Sequence, residues 1–262
     1  GDLNTVIRID SGDEFGRLAQ QFNAMTRALR DHQERLVQSE KLAAIGRLAA
    51  GIAHEINNPL GVILGYVRLM KRKADTGMVE DLGVIEEEAV RCQVIVEGLL
   101  DLARPWKLSP TPVDLRDLCD EIVNRLRESH QLSAIRFEID GEAETEGNDQ
   151  ALRQVLLNLI KNAAEAAGPS GWVQVRIGTS PAGCASVSIA DSGPGLTVDA
   201  RERLFEAFFT TKPHGTGLGL AVSQAIIQAH GGNIEAESAL EGGAVFRLRL
   251  PLHANVQDGE NG

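Results

Sequence analysis

The sequence predicts an α-helical hairpin that forms a dimeric four-helix bundle, followed by an α+β domain built as a two-layer sandwich. Residues 13–103 contain few helix breakers and repeat apolar side chains at helical spacing. Beyond them, short helical patterns are mixed with alternating apolar and polar runs, which indicates helices packed on antiparallel strands. Three prolines within 104–112 lie between the two patterns, and we expect a linker over 105–112.

Three hydrophobic seams run along the helical region. The spacing of the first is typical of a coiled coil; it consists of Leu18, Phe22, Met25, Leu29 and Leu36. The second is Leu42, Ile45, Ala49, Ile52 and Ile56, and the third is Leu82, Ile85, Ala89, Cys92, Val96, Leu99 and Ala103. Residues 75–77 (Asp-Thr-Gly) predict the break between two helices. Since one hairpin cannot bury all these apolar side chains, we expect two copies to associate.

The second domain is expected to span 113–252. Its patterns predict helices over 114–132, 149–167 and 217–230, and strands over 135–139, 172–179, 185–190, 233–238 and 245–250. Nine of the 27 glycines fall within 191–243, which indicates loops built around a ligand. The polar residues 253–262 predict a disordered tail.

Composition excludes several classes of protein. With 26 Lys and Arg against 37 Asp and Glu, the 262 residues carry a net charge of −11, which argues against nucleic-acid binding. No apolar run is long enough to cross a membrane. Three cysteines without a CxxC pair (Cys92, Cys119 and Cys184) favour a reducing, cytoplasmic compartment and neither a disulfide framework nor a zinc site. Because the sequence starts at Gly1 within an amphipathic pattern, we expect a portion of a longer protein.

His54 is the histidine whose surroundings indicate chemistry. In the second seam it takes an outward position, and Glu55 beside it could accept the Nδ1 proton and leave Nε2 free to attack phosphorus. Pro59 lies within the same helical pattern, where it removes a backbone hydrogen bond without structural gain. A solvated surface histidine is the alternative, and we apply it to His32, His130, His214, His230 and His253.

The helix expected over 149–167 has a polar stripe beside its apolar face. Gln154, Asn158 and Asn162 recur every four residues. Amide oxygens at Asn158 and Asn162 can complete the ligand shell of Mg²⁺ without adding negative charge next to a triphosphate, and Lys161 could reach phosphate oxygens. An ordinary polar helix face is the alternative for this stripe taken alone.

Two glycine-rich segments follow. Asp191 ends a strand and could accept a hydrogen bond from the amine of a base, while Gly193 and Gly195 permit close backbone approach; a plain β-turn is the alternative. The segment 215–220 opens a helix and exposes N–H groups to phosphate; its candidate binding residues are Gly215, Thr216, Gly217, Leu218 and Gly219. Between the two lies FEAFFTTK (205–212), which predicts a hinged lid anchored by phenylalanines and adds Thr211 and Lys212 to the candidates.

Together these segments resemble the sensor histidine kinases of two-component signalling. HEINNPL (54–60) resembles the phosphoacceptor box, NLIKN (158–162) the N box, and DSGPG (191–195), FEAFFTTK and GTGLGL (215–220) the G1, F and G2 boxes. DEFGRLAQQFNAM (13–25) resembles the end of a HAMP signal-relay domain, which would occupy 1–30 and leave 31–104 for the hairpin. FFTTKP with HEINNPL is most similar to the nitrogen-regulation branch of the family.

The resemblance implies a fold, an activity and roles for residues. It implies a GHKL (Bergerat-type) ATP-binding domain, ATP and Mg²⁺ as ligands, a homodimer, and a response regulator as partner. His54 would be phosphorylated with Glu55 as its base, and Asn58 would position water for dephosphorylation of the regulator. Asn158 and Asn162 would hold Mg²⁺, Lys161 would contact phosphate, and Asp191 would bind the adenine amine. A sensor with membrane spans would lie upstream.

Two other functions compete with this interpretation. ATP-hydrolysing GHKL proteins of the gyrase or chaperone type resemble the pattern Glu-x-x-x-Asn, in which the Glu activates water. In this sequence Asn158 takes the position of that Glu, and an amide cannot act as a base. A degenerate kinase that serves as a dimeric scaffold would be favoured by a missing box, and all five boxes are present.

Overall fold

The structure is a computed structural model that describes residues 7, 14–73, 75–103, 111–128, 132, 134–180, 183–212, 215–239 and 242–253. Within the helices, the description covers the backbone but not the side chains of residues 14, 27, 28, 31–55, 76 and 103.

Two long helices form the predicted hairpin. Helix α1 spans Glu14–Lys71 and helix α2 spans Thr76–Ala103. The break comes slightly earlier than the sequence predicts, because Thr76 and Gly77 already belong to α2. The carboxylate of Asp75 accepts the backbone N–H of Met78 at 3.0 Å and so satisfies one of the free donors at the start of that helix.

The third seam divides between two sides of α2. Leu82, Ala89 and Val96, spaced by seven residues, are buried in the single chain, as are Leu64 and Val67 of α1. Ile85 and Cys92 of the same seam are exposed in the single chain, on the side that the second copy of the expected bundle would have to cover. An α-helix has 3.6 residues per turn, so the residues of such a seam form two adjacent rows along the helix. A single partner helix covers only one of these rows.

In the part of the second domain that the structure describes, there are two sheets and four helices. Its elements are β1 (Thr111–Asp114), α3 (Leu115–Glu128), β2 (Arg136–Asp140), β3 (Glu144–Gly147), α4 (Asp149–Ala167), β4 (Trp172–Thr179), β5 (Cys184–Asp191), α5 (Val198–Arg203), α6 (Gly219–Ala229), β6 (Asn233–Ser238) and β7 (Ala244–Pro251). Strands β2-β4-β5-β7-β6 form one sheet, and β1 pairs with β3 in a separate antiparallel sheet.

Helices α3, α4 and α6 pack with the larger sheet as a two-layer sandwich. The interior is continuous: apolar side chains of α4 such as Leu156 and Leu159 belong to the same buried cluster as Val187 and Ile189 of β5. Alternate residues of β5 are buried, which explains its strong strand pattern in the sequence. The predicted fold class is therefore confirmed.

Three details differ from the sequence-based expectations. Strand β2 pairs with β4 in parallel, whereas the other pairs of the larger sheet are antiparallel. Thr111 and Pro112, expected in the linker, belong to β1 and lie opposite Gly147 and Glu146. Strands β1 and β3 and helix α5 were not predicted, because elements of four to six residues show too few repeats to establish a period.

None of the helices in the ranges that the structure describes combines the length and apolar character needed to cross a bilayer.

Candidate functional site

The amide stripe of α4 forms one wall of the site. The helix spans the predicted residues, and its first turn is capped by Asn148, whose side-chain oxygen accepts the N–H of Ala151 at 3.0 Å. Asn162 Nδ2 donates to Asn158 Oδ1 at 3.3 Å, so the two amides interact directly. Gln154, the third member of the stripe, instead donates to Asp101 of α2 at 2.6 Å.

The first turn of α6 forms the facing wall. Asn158 Nδ2 donates to Ser223 Oγ at 2.9 Å, and the Ser223 hydroxyl donates in turn to the carbonyl of Gly219 at 2.9 Å. A Cβ at position 219 would lie 2.4 Å from Asn158 Oδ1. Since real side chains do not approach so closely, only glycine lets the start of α6 come this near to the amide.

The structure assigns Leu218 a different role from the one expected. Its side chain is 1% exposed and packs in the core, and a Cβ at Gly98 of α2 would lie 3.0 Å from Leu218 Cδ1. The side chain of Leu218 therefore joins the second domain to the hairpin, and only its backbone is available to a ligand. Thr216 Oγ1 accepts the N–H of Leu218 at 3.4 Å, a long hydrogen bond.

The lid segment is closed at its base and is anchored by fewer phenylalanines than expected. Phe205 packs against the core, and the guanidinium of Arg203 lies 4.6 Å from the ring centre of Phe209. Phe208 is more than half exposed, so it anchors nothing in the single chain. Its backbone φ is +69°, a left-handed conformation that non-glycine residues rarely adopt.

The side chain of Lys212 extends from the lid to α4. Its Nζ donates to Asn162 Oδ1 at 3.0 Å and also to Glu165 Oε2. Lys161 lies one turn before Glu165, with its Nζ 3.9 Å from Glu165 Oε1. Thr211, the neighbour of Lys212 in the lid, is exposed. The structure thus brings both predicted lysines to the end of α4 that carries Asn162.

Asp191 lies at the end of β5 and is 2% exposed. Its Oδ1 accepts the backbone N–H of Gly193 at 2.8 Å and that of Ala244 at 3.2 Å. Burial raises the pKa of this carboxyl group, and the two hydrogen bonds oppose that effect because they stabilise the carboxylate. Such a group is a strong acceptor for an amine placed beside it.

Glycines make room around Asp191. A Cβ at Gly193 would lie 2.7 Å from the carbonyl oxygen of Ala166, and Gly195 has φ of +80°. Gly243 has φ of +91°, and a Cβ there would lie 1.8 Å from the backbone oxygen of Asp191. These positions accept only glycine without a shift of the backbone.

The predicted phosphoacceptor segment lies within α1. Pro59 is inside the helix and Asn58 is exposed. The side chains of His54 and Glu55 lie outside the described residues. Among the side chains that are described, Asn57 Oδ1 is the buried oxygen without a hydrogen-bond partner.

Three residues that contact the candidate site residues were not predicted from the sequence. Ser223 orients Asn158, Glu165 binds both lysines, and Gly243 lies against Asp191. Glu165 could have been found, because it lies four residues after Lys161 on the same helix face. Ser223 and Gly243 meet the site only through the packing of α6 and β7.

The polar groups that meet where α4 packs against the start of α6 suit a polyphosphate with a divalent cation. Two amide oxygens, at Asn158 and Asn162, are uncharged oxygen ligands of the kind that Mg²⁺ accepts. The start of α6 offers backbone N–H groups and the positive end of the helix dipole. Lys161 and Lys212 add positive charge at the open side.

Three family models match successive parts of the chain. Residues 1–31 match the HAMP domain, and residues 44–105 match the His Kinase A (phospho-acceptor) domain. Residues 147–254 match the histidine kinase-, DNA gyrase B- and HSP90-like ATPase.

Individual relatives agree with these matches. The sensor histidine kinase ZraS of Klebsiella oxytoca is 38% identical over 242 residues, covering 90% of this chain and 52% of that protein. The chain thus spans about half the length of the ZraS kinases that it matches. Among solved structures, histidine kinase ThkA in complex with response regulator protein TrrA has a TM-score of 0.59 and 30% identity, covering 86% of this chain and 67% of that one. Full-length ShkA in complex with AMPPNP has a TM-score of 0.66 and 29% identity, covering 79% and 46%.

Proposed function

Because the chain belongs to the sensor histidine kinases of two-component signalling, we propose that it transfers the γ-phosphoryl group of ATP to His54 and then to an aspartate of a response regulator. The observation that carries this proposal is the close approach of Gly219 to Asn158, since it aims the start of α6 at a pair of amide ligands. The ThkA complex with a response regulator supports the second transfer.

Each part of the candidate site has a role in binding the nucleotide. Asp191 accepts the adenine amine, and Gly193, Gly195 and Gly243 let the base approach the backbone. The start of α6, with the backbone of Gly215–Gly219, binds the phosphates, and Thr211, Lys212 and Lys161 contact them from the open side. Mg²⁺ held by the oxygens of Asn158 and Asn162 would supply positive charge beside the phosphates.

The transfer to His54 is an in-line displacement. The Nε2 lone pair forms the bond to the γ-phosphorus as the bond to the bridging oxygen breaks, and ADP leaves with the electron pair. Glu55 accepts the Nδ1 proton, which leaves phosphohistidine uncharged on that nitrogen. Asn158 occupies the position where a water-activating glutamate would stand in an ATPase, and an amide cannot take up a proton.

Asn58 is assigned to a different reaction of the same helix. It is exposed on α1, four residues after His54, where its amide can hold a water molecule against a phosphorylated regulator. We therefore assign it to dephosphorylation of the regulator, and the resemblance to the nitrogen-regulation branch is consistent with that activity.

The hairpin is proposed to dimerise. Large apolar side chains remain exposed on both helices of the single chain; they include Leu18, Met25, Ile63, Tyr66, Val84 and Ile85. A second hairpin would cover such residues as a four-helix bundle. We propose domain bounds of 1–30 for the HAMP fragment, 31–104 for the hairpin and 253–262 for the tail. Because Thr111 and Pro112 belong to β1, we place the linker at 105–110 and the ATP-binding domain at 111–252. The HAMP match supports a cytoplasmic portion of a membrane-anchored sensor.

Incubation with γ-labelled MgATP tests the kinase. The parent chain should acquire protein-bound phosphate that is labile in acid and stable in base, and the His54→Gln variant should acquire none. A matched His253→Gln variant, altered at an exposed histidine, should label like the parent. Free phosphate released by both the parent and His54→Gln, without protein label, would identify an ATPase instead. Absence of both label and turnover, with nucleotide still bound, would identify a scaffold.

A further inference from the structure

Two lysines and one carboxylate meet near the C-terminal end of α4. Lys212 donates to Glu165 Oε2, and Lys161 Nζ lies 3.9 Å from Glu165 Oε1. Each oxygen of this carboxylate therefore faces one of the two lysines assigned above to the phosphates. Glu165 itself has no role in the proposed transfer.

The contact with Lys212 fastens the lid to α4 at a second point. The base of the lid loop is closed by the Phe208 N–H, which donates to the carbonyl of Gly217 at 2.9 Å. Within the loop, the Lys212 N–H donates to Thr210 Oγ1 at 3.1 Å, and its carbonyl accepts the N–H of Gly215 at 3.1 Å. Lys212 is thus fixed at both its backbone and its ammonium group.

The same ammonium group competes with the proposed metal. It donates at 3.0 Å to Asn162 Oδ1, the oxygen assigned to Mg²⁺. A divalent cation on this oxygen would repel an ammonium held at hydrogen-bond distance, so Lys212 has to leave when the metal binds. The side chains of Lys212 and Glu165 are 40% and 37% exposed, and water screens such ion pairs, which makes the contact easy to exchange.

We propose that Glu165 is a positioning residue. It binds Lys212 and Lys161 when no nucleotide is present, and both lysines leave it to bind the phosphates when the Mg-nucleotide enters. This inference rests on the proposed nucleotide site. Glu165 thereby sets the affinity for nucleotide and links metal binding to release of the lid. Because its negative charge competes directly with the phosphates for the lysines, removal of that charge strengthens nucleotide binding.

Calorimetric titration of the whole chain with MgADP tests the competition. Glu165→Gln should bind about fivefold tighter than the parent, and Glu165→Asp, which keeps the charge, should stay near the parent. Glu144→Gln is the matched control. This exposed glutamate lies in β3, which precedes the N-terminal end of α4, whereas Glu165 lies near the C-terminal end. It should bind like the parent.

A double-mutant cycle separates the contact from a general charge effect. In a Lys212→Gln background, Glu165→Gln should change the affinity by less than about twofold.

Hydrogen exchange without nucleotide gives an independent measure: the backbone amides of Lys212 and Gly215 should exchange faster in Glu165→Gln than in the parent. An unchanged affinity in Glu165→Gln, or an equal gain in both backgrounds, would overturn the inference while leaving the proposed function intact. Failure of the parent to bind MgADP would overturn both.

Discussion

Asn158 and Gly219 lie so close together that a single added carbon at position 219 would stand 2.4 Å from the amide oxygen of Asn158. This contact joins α4 to the start of α6, although the two residues are 219 − 158 = 61 positions apart in the chain. It brings the proposed amide ligands of α4 close to the N–H groups at the start of α6.

Gly219→Ala should therefore impair nucleotide binding. The added Cβ pushes the Asn158 amide out of position, and we expect the affinity for MgADP to fall about tenfold. Calorimetric titration measures the loss. Gly178→Ala is the control, because a Cβ at Gly178 meets nothing within 4 Å. Equal affinity in the two variants would contradict a binding role for this contact.

Ser223→Ala should weaken binding without unfolding the domain. The variant removes the acceptor that orients the Asn158 amide, and we expect a loss of about 1 kcal/mol in stability and about fivefold in affinity for MgADP. Ser186→Ala, which removes a hydrogen bond to Gly178 in the sheet, should cost comparable stability and leave affinity unchanged. If both variants bind alike, Ser223 has only a structural role.

Asn162→Asp should weaken the use of MgATP while leaving the dimer intact. A carboxylate at this position faces the phosphates with negative charge and strengthens the hold on Lys212, which already donates to the residue. We expect the autophosphorylation rate at low MgATP to fall about tenfold. Labelling kinetics and a solution mass measurement give the two readouts. Unchanged affinity and rate would count against the metal role.

Asn58→Ala should separate the two activities that we propose for the hairpin. The variant removes an exposed amide on α1 and no buried contact, so folding and autophosphorylation should match the parent. Dephosphorylation of the regulator should slow about tenfold, because the attacking water loses its hydrogen bond. Time courses of label on the chain and on the regulator measure both. If neither rate changes, Asn58 does not position the water.

Stability should fall in mild acid because of His230. This buried ring accepts the N–H of Asn148 at Nε2 (3.1 Å) and contacts the carbonyl of Ile226 through Nδ1 (2.8 Å). Burial lowers its pKa from the ordinary 6.5, so the unfolded chain takes up the proton first. The stabilisation is complete above about pH 6.5 and is lost as the pH falls toward the lowered pKa.

Denaturant unfolding at about pH 7.5 and about pH 5.5 measures this effect. The free energy of unfolding should fall less for His230→Gln than for the parent, whereas the exposed His253→Gln should behave like the parent. Asp191 contributes with the opposite sign, since burial raises its pKa, but it does so equally in all three proteins. Identical pH dependence in the parent and His230→Gln would refute the assignment.

Long elements were predictable because their patterns repeat many times. Helix α4 begins and ends at the predicted residues, since Asn148 caps its start and an apolar face continues through five turns. Strands β4 and β6 were likewise predicted over their full lengths. By contrast, β1 and β3 have four residues each and are stabilised by pairing with each other. A local sequence pattern does not indicate such a pairing.

The order of the boxes and the chemistry of their side chains were determined by the sequence itself. These patterns are local: they consist of amides at helical spacing, glycines at the start of a helix and a carboxylate at the end of a strand. Each depends only on residues that are close together in the sequence. The tertiary structure decided which of these groups touch. It placed Ser223 on Asn158, buried the side chain of Leu218 beside Gly98, and gave both lysines to Glu165. Such contacts depend on how separate elements pack, because helices brought together by burial of their apolar faces determine which polar side chains meet at the edges.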